Sequence, residues 1–368
     1  MRVSFGEGWR RFGEHGPASS RSIDQRFQAA TRVDDGERTG ASGHREGALL
    51  SEGFHEAVLV EEVLRHLAPR AGGRYLDLTL GGGGHAAEVL RRCDPDGSLW
   101  GVDQDAQALA AAQARLAGFG KRVRLEHCRF DELPELWEGA GRPLFQGIYA
   151  DLGVSGNDLD DAARGFSLQR SGPLDMRMDQ RQPTTAASLL RDLDEVALAD
   201  VLRRGEVPGA GRLARLLHEA ARRGELDRTD QLADLVLRHS PPRGRKGSGG
   251  GRSHHPATLV FQALRLEVNQ ELPALERLLA WLPEPLAPGG VVVVLSYHSL
   301  EDRRVKRRFA ELSRGCICPP RLPVCGCGRQ PAGRLLTTRG EHAGPAEIAR
   351  NPRSRSAVLR AWMKELRP

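Results

Sequence analysis

The stretch Asp77-Leu-Thr-Leu-Gly-Gly-Gly-Gly-His85 carries the strongest chemical signal in the chain. Four successive glycines let a backbone turn sharply and approach a ligand with no Cβ in the way. Asp103 follows 22 residues after Gly81, at the end of a second apolar run, where a carboxylate can accept hydrogen bonds from ribose hydroxyls. Together these residues describe a nucleotide-type cofactor lying across the carboxyl ends of parallel strands. The glycines are contiguous, unlike those of G-x-G-x-x-G, whose helix start receives a pyrophosphate. With Asp77 before them and His85 after them, they suit S-adenosylmethionine better, because that molecule has no phosphate and carries a cationic sulfonium and ammonium. A tight turn without a ligand is the plain alternative, and Asp103 weighs against it.

Two further groups of reactive residues stand at strand ends. Asp151-Leu-Gly-Val-Ser155 closes one apolar run, and Leu295-Ser-Tyr-His-Ser-Leu-Glu-Asp302 closes another, with His298 and Ser299 expected to face the same crevice as Asp151. Taken singly, an acid can cap a turn and a histidine can be held by its neighbours. Three strand ends converging on one cleft favour a reactive site.

The elements that must position these residues follow from periodicity. Val60, Val63, Leu64 and Leu67 repeat at helical spacing. Strands are expected at Arg74 to Leu80, Leu99 to Val102, Val123 to Cys128 and Ile148 to Leu152, with helices at Ala86 to Arg92 and Ala106 to Leu116. That alternation implies a parallel sheet with right-handed crossovers. Gly153 to Met178 reads as a polar loop, and Thr184 to His239 as helices alone, inserted into the α/β domain. Pro241 to His255 reads as a flexible basic loop, and His255 to Leu282 as containing a long helix. Val291 to Leu295 has the β-branched run of a central strand, and Arg355 to Met363 is expected as a final edge strand. The expected units are an extension at 1–50 without periodicity, α/β parts at 51–155 and 246–368, and a helical insertion at 156–245.

Composition bounds the class. The 368 residues include 39% hydrophobic and 28% charged types, enough to bury a core without disulfides. No run approaches 18 apolar residues, and the first residues lack an apolar signal core, so a cytoplasmic chain without a membrane span is expected. Lys and Arg number 54 against 48 Asp and Glu, a net +6. The excess is local: Arg303, Arg304, Lys306, Arg307 and Arg308 crowd one helix, Arg243, Arg245, Lys246 and Arg252 share the loop, and the tail from Arg350 is basic. Such patches can hold RNA phosphates, or simply be solvated faces.

Six cysteines without a secretory signal suggest a reducing compartment. Cys93 and Cys128 stand alone. Cys316, Cys318, Cys325 and Cys327 form C-x-C-x6-C-x-C, four thiols that could bind zinc tetrahedrally. No metal is assigned to catalysis.

The chain resembles the MraW/RsmH family, the bacterial 16S ribosomal RNA cytosine-N4 methyltransferases. The resembling motifs begin with His55-Glu-Ala-Val-Leu-Val, the Gly81 to His85 loop, Asp151 to Ser155, Leu159-Asp-Asp161 and Arg164-Gly-Phe-Ser167. They continue through Gly172-Pro-Leu-Asp-Met-Arg-Met-Asp179, His255-Pro-Ala-Thr258, Phe261-Gln-Ala-Leu-Arg265, Val268-Asn269, Ser296 to Asp302 and Asn351-Pro-Arg-Ser-Arg-Ser356. The match runs from about His55 to Lys364. It implies a class I (Rossmann-like) S-adenosylmethionine-dependent methyltransferase fold with an inserted all-helical domain. The implied reaction methylates N4 of one cytidine in the decoding region of 16S ribosomal RNA on the small subunit. By position, the resemblance implies cofactor contacts at Gly83, Gly84, His85, Asp103, Phe130, Asp151 and Asp158, and catalytic roles are expected of Asp151, His298 and Ser299. The chain departs from the family pattern at Asp158, usually Gln, at Gly156-Asn157, usually Ser-Pro, and at Gly205 to Arg212, usually Gly-Glu-Glu-Arg-Phe. A nicotinamide-dependent dehydrogenase and a non-catalytic RNA-binding module stay open as alternatives, as does the oligomeric state, a homodimer included.

Overall fold

The computed structural model describes residues 57–239, 255–319, 324 and 326–366. The extension at 1–50 and the basic loop residues 241–254 lie outside the described residues.

Seven strands build the sheet: β1 Arg74–Asp77, β2 Ser98–Asp103, β3 Val123–His127, β4 Phe145–Asp151, β5 Leu286–Ser296, β6 Gly333–Leu335 and β7 Val358–Lys364. Their order is β3-β2-β1-β4-β5-β7-β6. The first five run parallel. β7 pairs antiparallel with β5, and β6 antiparallel with β7. The sheet is therefore mixed rather than parallel throughout, and β7 is internal rather than the edge, because the short β6 covers its outer side.

Helices flank the strands: α1 Val60–Leu67, α2 Gly84–Arg92, α3 Ala106–Leu116 and α4 Leu133–Gly139 precede α5 Gly156–Asp160. Then come α6 Ala186–Asp192, α7 Glu195–Arg204, α8 Ala210–Arg222 and α9 Thr229–His239. The chain returns to the sheet through α10 Thr258–Val268, α11 Glu271–Trp281, α12 Ser299–Ser313 and α13 Pro345–Arg350. The long helix expected over 255–282 is two helices, broken where Gln270 takes a left-handed φ of 50°. After the break, Leu275, Leu278 and Leu279 of α11 pack into a core with the sheet.

Both sheet faces are buried. Val291, Val293 and Leu295 of β5 enter one core with α1, α2 and α3, while Val292 and Val294 enter another with α4, α11 and α12. This period-two division explains why β5 reads as one unbroken apolar run. A third core joins α6 to α10 with Phe166, Leu174, Met176 and Met178 of the preceding segment. The strand order, with a reversal between β1 and β4 and a terminal antiparallel β7, is that of a Rossmann-like class I methyltransferase sheet. Its crevice lies outside the carboxyl ends of β1, β2 and β4, at the reversal.

The segment expected as a polar loop, 153–178, is tightly folded. Gly165 sits at φ 76°, and a Cβ there would lie 2.3 Å from the Pro173 carbonyl oxygen and 2.7 Å from the Asp175 nitrogen. Those atoms are backbone and cannot move aside. Gly165→Ala is therefore expected to lower stability by about 3 kcal/mol. Urea denaturation measures it; an unchanged midpoint would contradict this packing.

Candidate active site

The glycine loop begins where β1 ends. The named strand ends at Asp77, three residues short of the expected Leu80, although Leu78 N–H still donates to the Tyr149 carbonyl of β4 at 3.0 Å. Leu80 N–H donates to the Val102 carbonyl at 3.0 Å, and Gly81 N–H to Asp103 Oδ2 at 2.7 Å. Gly81 and Gly83 take φ of 50° and 74°, the left-handed region that favours glycine. A Cβ on Gly83 would meet Ala112 and Leu116, so that glycine lets α3 pack closely.

A cavity of about 530 Å³ opens at these strand ends. Gly84, His85, Asp103, Phe130, Asp151 and Asp158 all line it, whereas Gly83, His298 and Ser299 do not. Asp105, Glu271 and Glu301 add to its acidic lining, and two of its arginines are engaged by acids of their own. Arg129 pairs with Asp131, and Arg265 makes a two-pronged pair with Glu271 at 2.8 and 3.0 Å. Such a lining suits a ligand with cationic groups better than a diphosphate.

Burial tunes these acids. Asp77 is 1% exposed and pushed up to about 8 by desolvation, against the hydrogen bonds it accepts from Tyr149 O–H and Thr79 N–H. Asp103 is pushed up to about 6, again by desolvation, although Gly81 N–H and Asp105 N–H both donate to it. A carboxylate has about four lone-pair directions, so two remain for ligand hydroxyls. Asp151 also lies above the ordinary carboxylate range through desolvation, with His85 and the hydrogen bond from Tyr297 O–H at 2.7 Å pulling it back. The Asp151 N–H is anchored on Thr79 Oγ1 at 2.6 Å. His85 Nε2 lies 2.9 Å from the Val58 carbonyl oxygen, which can only accept, so that nitrogen carries the proton.

A second cavity of about 480 Å³ adjoins the first. Val154, Leu159, Thr258, Arg265, Tyr297 and Arg353 line both. His298 lines only the second, with its Nε2 3.3 Å from Glu301 Oε1. Burial alone would raise Glu301, but His298, Arg265 and the Tyr297 N–H outweigh it and hold the carboxyl below its ordinary value. Ser299 lines neither cavity. It is exposed, and its Oγ donates to Glu206 at 3.2 Å, because Ser299 starts α12 on the far side of His298. The expectation that Ser299 faces the crevice does not hold.

A model of the MraW methylase family matches residues 52–365. The chain is 45% identical over 311 residues to the ribosomal RNA small subunit methyltransferase H of Symbiobacterium thermophilum, covering 84% of this chain and 96% of the relative. It is 49% identical over 312 residues to the protein of that name from Pelobacter propionicus, covering 84% and 98%. The chain belongs to the MraW methylase family.

Within this MraW member the unusual residues have structural partners. Asp158 is 4% exposed; its Oδ2 accepts from Ser155 N–H and O–H, and its Oδ1 lies 3.0 Å from Arg164 Nη2. Gly205 lets the end of α7 press on α10, where a Cβ would come within 2.3 Å of Ala263 Cβ. Glu206 ties this corner to α12 through Arg303 and Ser299. Gly205 and Glu206 keep the family pattern; Val207 and Ala210, which follow them in the departing stretch, are buried in the core of the helical insertion.

The basic face of α12 is largely compensated. Arg303 pairs with Glu206, Arg304 with Glu276 at 2.8 Å, and Arg307 and Arg308 lie 3.8 Å from Glu311. The helix that the sequence leaves open as a phosphate-holding or a solvated face thus carries acid partners from the α7–α8 corner, from α11 and from its own next turn. Sequence reasoning also missed Tyr297, Glu301, Glu271 and Arg164 as builders of the site. Tyr297 had a signal, since it lies two residues beyond Leu295, the register partner of Asp151.

Proposed function

We propose that this protein transfers the methyl group of S-adenosylmethionine to the exocyclic N4 of a cytidine in the decoding region of 16S ribosomal RNA. The family supports methyl transfer, and the names of the relatives support the small-subunit RNA. The observation that carries the reading is Tyr297, which lines both cavities and donates to Asp151 in the larger one.

The residues present fit S-adenosylmethionine. Asp103 keeps lone pairs for ribose hydroxyls, and the acids of the larger cavity suit the ammonium and sulfonium. When bound, that molecule supplies a methyl group on a cationic sulfur, ready for in-line displacement. The chain does the rest. Cytosine N4 is a weak nucleophile because its lone pair is delocalised into the ring, so alignment and a waiting acceptor matter most. The smaller cavity would take the unstacked base, with His298 orienting it. Tyr297 engages Asp151 Oδ1, and Oδ2 is assigned to the N4 hydrogen. Asp151 would take the proton that N4 gives up on accepting the methyl group, and its raised affinity for protons suits it to the task. The insertion at 156–245 is assigned to substrate recognition.

Nucleoside mass mapping of 16S ribosomal RNA tests this. Cells with the protein should carry N4-methylcytidine at one decoding-region position that cells without it lack. An unchanged map would end the proposal.

Asp103 gives a second expected outcome. Ligand hydroxyls need the ionised carboxylate. S-adenosylhomocysteine affinity should be flat above about pH 6 and fall by up to roughly tenfold per pH unit below, as Asp103 protonates. Asp103→Asn should bind weakly with no such slope. Calorimetry from pH 5 to 7.5 checks both; a wild-type profile flat to pH 5 would remove Asp103 from the ribose site.

A further inference from the structure

The turn between α12 and β6 contains Cys316, Cys318 and Cys327, whose sulfur atoms all lie within 4.8 Å of one another. Cys325 lies outside the described residues. We propose that these three thiolates bind one structural zinc ion. The spacing of the sulfurs points to it. Cys316 Sγ and Cys327 Sγ are 3.7 Å apart. A tetrahedron with metal–sulfur bonds of about 2.3 Å has sulfur–sulfur edges of about 3.8 Å, whereas a disulfide requires about 2.05 Å. The Cys318 N–H donates to Cys316 Sγ at 3.4 Å, an interaction that stabilises a thiolate.

Packing does not explain the convergence. Among the described residues from 313 to 332 none is buried, and Ile317 and Val324 are 57% and 76% exposed. At its base Ala332 N–H donates to the Leu312 carbonyl at 2.8 Å and Arg329 to the Glu311 carbonyl at 2.8 Å. A segment without a core needs another link to bring three side chains together, and soft thiolates in tetrahedral array select zinc. On binding, each thiol releases its proton to solvent and donates a sulfur lone pair. Three thiolates fill three corners, and water or another donor takes the fourth.

The site is separate from the cavities, since none of these cysteines lines either. The test uses the full chain purified with reductant and without chelator. Elemental analysis should find stoichiometric zinc, reduced to background in C316S/C318S/C327S, with S-adenosylhomocysteine affinity unchanged. Cobalt substitution should give the intense thiolate-to-cobalt absorption of a tetrahedral sulfur site. Should the variant fail to fold, the cobalt spectrum of the parent chain decides alone. Zinc-free protein that takes up neither metal would overturn the proposal, as would zinc content untouched in the triple variant.

Discussion

Asp151→Asn is expected to lower kcat by a factor of about 100 to 1,000 while changing S-adenosylhomocysteine affinity little. The amide is the same size, and its oxygen can still accept the Tyr297 hydroxyl that holds Oδ1 at 2.7 Å. Its backbone N–H stays on Thr79 Oγ1. What is lost is the charge and the ability to take a proton. The pH profile provides an independent check. Desolvation holds the Asp151 carboxyl above the ordinary carboxylate range. Turnover should therefore rise with pH through that elevated value, since only the ionised form accepts. Tyr297→Phe removes one of the interactions that pulls the carboxyl back down, so the rising limb should move to higher pH. Such a shift distinguishes a positioning role for Tyr297 from a merely structural one. Steady-state assays across pH on wild type, D151N and Y297F measure all three effects. Full turnover in D151N would remove Asp151 from the reaction.

Arg164→Ala is expected to lower stability by about 3–5 kcal/mol, because Arg164 holds two buried acids and a loop at once. It is 3% exposed. Its Nη1 donates to Asp105 Oδ2 at 2.7 Å, and its Nη2 to the carbonyls of Met178 and Arg177 at 3.0 and 3.1 Å. Asp158 lies 3.0 Å from Nη2. Truncation leaves both carboxylates uncompensated in a desolvated setting. The sign of the pH effect follows from Asp158. Burial already raises its carboxyl, and Arg164 opposes that rise. A raised folded-state value favours the fold at acid pH and penalises it as pH rises through that value. Removing Arg164 enlarges the penalty at neutral pH, so the deficit against wild type should shrink on acidification towards pH 5. R164A/D158N should be more stable than R164A at pH 7.5. Urea denaturation of the three proteins decides it, and equal midpoints for the two variants would show that Asp158 does not depend on Arg164.

These two residues also mark how far the sequence was legible. Asp151 and Asp103 could be read, because an acid ending an apolar run at the mouth of a parallel sheet has few other uses. The glycine loop was legible for the same reason: its glycines answer to backbone geometry, two of them at positive φ. Arg164 was quoted only within a motif, since its role depends on partners 59 residues back at Asp105 and 14 residues on at Met178. His298 and Ser299 are adjacent in sequence, yet the start of α12 points one into a cavity and the other outward, which spacing alone does not reveal. The edge position assigned to β7 failed because β6 has only three residues, too few for a periodic signal. The long helix expected within 255–282 is divided in two at Gln270, a residue type that gives no warning of a left-handed turn. The ion pairs that compensate Arg303 and Arg304 arise between elements far apart in the chain and have no local signature.

The central claim, methyl transfer to cytosine N4 at a site organised by Asp151, is tested most directly with labelled substrate. Purified protein is incubated with S-adenosylmethionine carrying an isotopically labelled methyl group and with small ribosomal subunits lacking the modification. The RNA is then digested and its nucleosides are resolved by mass spectrometry. The predicted result is label in N4-methylcytidine at a single decoding-region position, lost with D151N. Label in any other nucleoside, or no label at all with wild-type protein, would contradict it.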